Sequence, residues 1–208
     1  MKYFLILLIS ITCFPGILFS QNIPHEKEFK KGHILMADST ELNGYLNFYK
    51  SHTGKVKFKE SIDGELIKYS PDEIVSFSID TVVFESLKDI KIIGPLGAST
   101  PVKKCFGELL TSGKISINLI YYIGHDPFAG SNKYYLNFCL TKKDSSENLT
   151  ICIPYNQRLK MNRIEKEKKK LIEFLNAPEE INNLINSMTR ESGLVETVEI
   201  IKKYNSEL

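Results

Sequence analysis

Between residues 32 and 155, short apolar runs rich in Ile, Val, Phe, Tyr and Thr alternate with clusters of Gly, Pro, Asp and Asn. This is the pattern of successive strands and turns. Residues 34–37, 44–49 and 55–59 form a first group of strands, with turns at 38–43 and 51–54. In Lys55-Val56-Lys57-Phe58-Lys59, lysines alternate with apolar residues, so one face meets water and the other a core. A solvated strand face accounts for these lysines without a binding stripe. Strands at 65–69, 74–79 and 81–87 follow, with Ser70-Pro71-Asp72-Glu73 as a turn or single helical turn capped by Ser70. Gly94, Pro95, Gly97 and Pro101 predict a long flexible loop. Strands at 103–110 and 114–123 flank Thr111-Ser112-Gly113, a loop covers 124–132, and strands at 133–143 and 149–155 complete the β region.

After Tyr155 the apolar period lengthens from two to about three and a half, the mark of helices. Leu159, Ile164, Leu171 and Leu175 punctuate the first. The run 165–170 between them is polar all round and is expected to stand in solvent, helped by a Glu165–Lys169 pair worth only ~0.3 kcal/mol. Pro178, Glu179 and Glu180 open a second helix with an apolar stripe of Ile181, Leu184, Ile185 and Met188. Gly193 separates a third, marked by Leu194, Val198, Ile201 and Tyr204. The expected fold is α+β: an antiparallel β-meander or partly closed barrel followed by a short C-terminal helical tail.

The N-terminus changes the picture. Lys2, the apolar stretch 3–14, the breakers Pro15 and Gly16, and Ser20 as a cleavage residue read as a secretory signal peptide over 1–20. Ser10 and Thr12 fit a lipobox around Cys13 poorly. The mature chain then comprises a flexible segment 21–31, a β-rich domain 32–155 and a helical tail 156–208. Export places it in the periplasm, at the cell surface or outside the cell. No later apolar stretch is long enough for a transmembrane anchor once the signal is removed; the best, 115–123, contains Ser116 and Asn118 and alternates like a strand. Twenty-seven basic against twenty-five acidic residues leave no basic footprint for nucleic acid.

Candidate chemistry is sparse. A two-residue hairpin with Ser145 and Ser146 at its tip would place Cys139 opposite Cys152, feasible for a cross-strand disulfide in an oxidising compartment; two half-buried thiols fit equally. Lys103 and Lys104 beside Cys105 could lower its thiol pKa, but without a histidine motif a packed strand cysteine is the simpler reading. His25 falls in the polar N-terminal segment and His52 in a turn, and no histidine has metal-ligand spacing. His125 and Asp126 form the one adjacent imidazole–carboxylate pair, although adjacent residues rarely orient each other for acid–base work. Tyr121, Tyr122, Tyr134 and Tyr135 make the densest aromatic cluster; half of each doublet must leave a simple sheet face, to be covered by the helical tail or by a ligand. Asn148-Leu149-Thr150 matches a glycosylation sequon, a motif short enough to arise by chance. No nucleotide-binding loop, serine-nucleophile elbow or cofactor fingerprint is present.

Several features together resemble a group of uncharacterised secreted β-rich proteins with a C-terminal helical tail, common in Bacteroidetes. They are Gly44-Tyr45, Phe58-Lys59, Tyr69-Ser70-Pro71-Asp72-Glu73-Ile74 with Phe77, Gly113-Lys114-Ile115, Phe174-Leu175-Asn176-Ala177-Pro178 and Tyr204-Asn205. Relatives in that group often carry cysteine where Ala177 stands. The resemblance implies an envelope or extracellular location and supplies no catalytic residue, cofactor or metal. The expectation is an exported, non-enzymatic envelope or extracellular protein that binds an unknown protein or surface ligand through its sheet face or the 94–101 loop. The alternatives are an enzyme using the His125–Asp126 loop, with Cys105 nearby, and an interaction module built on the Lys-rich helix around Lys168, Lys169 and Lys170.

Overall fold

The computed structural model describes residues 28–94, 98–126, 130–145, 147–151, 162–189 and 193–207. The expected signal segment 1–20, His25, Cys152 and Leu159 lie outside them. The fold is α+β, as the residue patterns predict. Its strands are β1 (Lys30–Met36), β2 (Glu41–Phe48), β3 (Val56–Lys59), β4 (Ile67–Tyr69), β5 (Ile74–Ile79), β6 (Val82–Ile93), β7 (Ser99–Thr111), β8 (Ile115–Asp126), β9 (Ser131–Lys142) and β10 (Asn148–Ile151). All pair antiparallel in one open sheet of order β10-β9-β8-β7-β6-β5-β1-β2-β3-β4. β1 to β4 and β5 to β10 each form a meander, and the two are joined where β5 returns to lie beside β1 rather than beside β4.

That return forces the sheet to curl. Only residues 70–73 join β4 to β5, which stand four strand spacings apart, about 19 Å in a flat sheet. A fully extended connection would barely reach, and this one is folded: Glu73 N–H donates to the Ser70 carbonyl (3.1 Å), while Glu73 Oε2 accepts from Ser70 N–H and Oγ–H (2.8 and 2.7 Å). The curl encloses an aromatic core. Phe77 and Phe84, paired across β5 and β6, stack at 4.8 Å, and Phe48 and Phe106 meet Phe77 edge-on at 5.1 and 5.0 Å.

The stretch expected as a long loop around Gly94 and Pro101 is instead the outer half of a long β6–β7 hairpin, with Lys91 opposite Pro101 and Ile93 opposite Ser99. Proline is tolerated because this part of β7 has left β8, with which the pairing stops at Glu108–Leu119, and has a strand on one side only. β6 kinks at Asp89 (φ 49°), and the outer hairpin folds across β8 and β9. Gly107 permits the close crossing: a Cβ there would lie 2.7 Å from Leu87 and 2.9 Å from Asn118. Under the hairpin lies a small core of Leu87, Ile90, Ile92, Cys105, Ile120 and Cys139.

The other face of β8–β10 is covered by the helices α1 (Asn162–Leu175), α2 (Glu179–Ser187) and α3 (Gly193–Glu207). Their apolar stripes, including Leu171, Ile181, Ile185 and Ile201, meet Ile117, Leu119, Phe138 and Leu140 in the largest core. The polar run 165–170 does not stand in solvent throughout. Glu167 and Lys168 are buried: Lys168 Nζ donates to Asn186 O (2.9 Å) and Glu165 Oε1 (3.0 Å), and Lys170 Nζ donates to Glu167 Oε1 (2.8 Å). The lysine stem covers apolar surface while its ammonium finds partners on α2 and in its own turn. Lys169 pairs with Glu173 rather than Glu165. Among the described residues no helix is long and apolar enough to cross a membrane.

Candidate functional site

The β2–β3 turn builds an open groove. Ser51 shapes it, its Oγ accepting from Thr53 N–H (3.2 Å) and its carbonyl from Gly54 N–H (2.9 Å). Gly54 is required there, since a Cβ would fall 2.6 Å from the Tyr49 carbonyl oxygen. His52 N–H donates to Tyr121 O (2.8 Å), tying the turn to β8 across the molecule. The open groove so formed, about 500 Å³, is lined by Tyr49, His52, Lys55, Lys57, Lys68 and Ile123 among others.

Its charge has one sign. Lys57 and Lys68 stand directly opposite each other on β3 and β4, an arrangement that is locally unfavourable. Neither they nor Lys55 form a salt bridge among the described residues. Lys55 does act on the Glu73 carboxyl, which is held below the usual carboxylate range first by its Ser70 hydrogen bonds and more weakly by the Lys55 charge. The acidic residues Glu60, Asp63 and Glu65 belong to the β3–β4 turn, which follows within one residue pair of Lys57–Lys68, and they do not line the groove. His52 packs against Tyr122 at 4.7 Å, its Nδ1 shielded and without a partner, and burial lowers its pKa. The ring is therefore neutral at pH 7, leaving the lysines to supply the groove's charge.

The four tyrosines separate. Tyr121 OH donates to Glu108 Oε2 (2.7 Å), which also receives Lys50 Nζ (2.9 Å), and the Lys50 ammonium lies 5.2 Å from the Tyr121 ring. Burial raises the Tyr121 pKa strongly, with the Glu108 charge adding to it, so its hydroxyl is a fixed donor. Tyr122 and Tyr135 pair across β8 and β9, 6.1 Å apart, and the hairpin covers Tyr122: a Cβ at Gly94 would come within 2.8 Å of its ring. The cover for this half of the cluster is thus neither the helical tail nor a ligand but the sheet's own hairpin. Tyr134 reaches the groove rim, where its hydroxyl lies 2.7 Å from that of Tyr49; burial and that bond push its pKa up to about 12.

His125 and Asp126 lie in β8, opposite Asn132 and Ser131, rather than in a loop. Consecutive strand positions alternate between faces, so the backbone does not bring this pair together, and His125 is exposed. Cys105 is fully buried in the hairpin core, its thiol pushed up to about 12 by burial, and has no approach to His125 as a nucleophile. The proposed partner of Cys139 changes too. Lys142 N–H bonds Glu147 O (3.2 Å) around a four-residue loop in place of the expected two-residue tip, shifting the register by two and setting Cys139 opposite Thr150. Ser145 Oγ, accepting from Glu147 N–H, and the Lys142–Glu147 ion pair stabilise that longer loop. Cys139 is free and buried, its thiol pushed up to about 11.

Sequence pattern marks Lys55 and Lys57 only as part of a solvated strand face and His52 as a turn residue, and it does not distinguish Lys68 or Tyr49. The alternating lysines of β3 were the available signal, but nothing local reveals that β4 adds Lys68 or that β8 closes the groove. No group of three or more His, Cys, Asp or Glu placed to hold a metal exists among the described residues. Compared with known proteins, the chain matches no family model, no curated protein and no solved structure.

Proposed function

We propose that this is an exported, non-enzymatic binding protein of the cell envelope or extracellular space, acting on a protein or surface partner through the groove beside β3 and β4. One observation carries the reading. Three lysines, two directly opposed, line an open groove and form no salt bridge among the described residues, an arrangement the fold does not need and an anionic partner would use. The signal segment 1–20 and the resemblance to secreted β-rich proteins support export. A photo-crosslinking residue at Lys55 or Lys68, set against one at the exposed Val195 on α3, tests the reading in cells that make the protein natively. The groove positions should capture one specific partner and Val195 should not; equal or empty capture at both would refute it. Mass spectrometry of the secreted chain should show an N-terminus near Gln21, and an intact Met1 would remove the export arm.

A further inference from the structure

The lysine groove borders an open sheet edge. β4 pairs with β3 alone, and no strand follows it among the described residues. Residues on and beside this edge are apolar and exposed: Leu66 45%, Ile67 41% and Ile62 51%. Ile67 stands opposite Phe58, whose side chain is buried, so its position belongs to the core face of the sheet, yet no strand beyond β4 covers it among the described residues. Lys68, the next position, stands opposite Lys57 on the groove side. The edge therefore presents an apolar residue on one face and paired ammonium groups on the other. These are the two faces that a further strand would meet.

Resting on the binding reading above, we propose that the ligand is an extended acidic–apolar segment of another protein, which joins the sheet beside β4. Its main chain hydrogen-bonds the free edge, alternate apolar side chains cover Ile67, and the intervening carboxylates meet Lys57 and Lys68, with Lys55 one strand repeat further along. Lys55 and Lys57 lie two residues apart on one face, about 7 Å, the spacing of alternate side chains on an incoming strand. A lysine on a short edge strand also guards against self-pairing. The charge that repels a second copy of β4 admits an acidic strand.

Fluorescence anisotropy with the mature chain and labelled ten-residue peptides tests this. An alternating Glu–Val peptide should bind, an alternating Lys–Val peptide should not, and Glu–Val N-methylated along one backbone edge should lose at least about tenfold in affinity because it cannot complete the ladder. K57E/K68E should weaken the Glu–Val peptide by about tenfold and gain affinity for Lys–Val, a swap that also shows the variant is folded. Amide exchange should slow at residues 66–69 on binding. No Glu–Val binding at millimolar peptide, or N-methylated peptide binding as well as the parent, would overturn strand addition. If crosslinking from Lys68 nevertheless captures a partner, the binding role stands and only this mode of it falls.

Discussion

The two faces of the β8–β9 ladder are closed by different covers held by the same device. On one face the β6–β7 hairpin folds over, and the Asn137 amide clasps the backbone of Ile93, accepting from its N–H (2.8 Å) and donating to its carbonyl (3.1 Å). On the other the helical tail docks, and Asn205 of α3 clasps Ile115 in the same two-bond manner (2.9 and 2.8 Å). The amide in each case imitates a neighbouring strand. The covers differ in depth: Asn137 is fully buried, whereas Asn205 sits half-buried at the end of its helix. The helical cover seals a large core and the hairpin a small one containing both described cysteines.

Breaking the covers in turn should give graded effects. Stopping the chain at residue 161 should do most, because Ile115, Ile117, Leu119, Phe138 and Leu140 lose their cover; soluble yield should collapse and any remaining protein should bind a hydrophobic dye. Asn137→Leu should follow, costing about 2–4 kcal/mol in urea unfolding, since it strands two buried backbone groups of Ile93. Asn205→Ala should cost about 1 kcal/mol, because water can replace a half-exposed amide. The thiols sharpen the same contrast. With Cys105 at about 12 and Cys139 at about 11, the folded chain should leave both unmodified by a disulfide reagent at pH 8, and Asn137→Leu should make them reactive. Because their folded pKa values exceed the ordinary thiol value, stability should be unaffected below about pH 8.5 and fall above it, as the unfolded chain releases protons the folded one retains. The smallest effect should come from His52. Its pKa is lowered, so its contribution is complete above the ordinary imidazole range and diminishes as pH falls below it; faster amide exchange confined to residues 51–54 in acid would report this.

The helical cover was legible because an apolar stripe at helical spacing, such as Ile181, Leu184, Ile185 and Met188, must meet a core. The hairpin cover was not, since Gly94, Pro95, Gly97 and Pro101 interrupt the strand signal and nothing local says that β7 has left β8. Half of the tyrosine question had the same cause: Tyr122 needed a cover, and its source lay some thirty residues upstream.

Taken alone, the sequence determined an α+β chain with strands from period two, helices from a longer period, and lysines of β3 on the face away from Phe58. Faces follow from alternation, which is local. Tertiary structure decided the partners. The loop after Lys142 set Cys139 against Thr150, the short 70–73 link curled the sheet, and the joining of β3, β4 and the β2–β3 turn to β8 made three separate lysines into one groove. Register and docking depend on loop length and on surfaces distant in the chain, and periodicity carries neither.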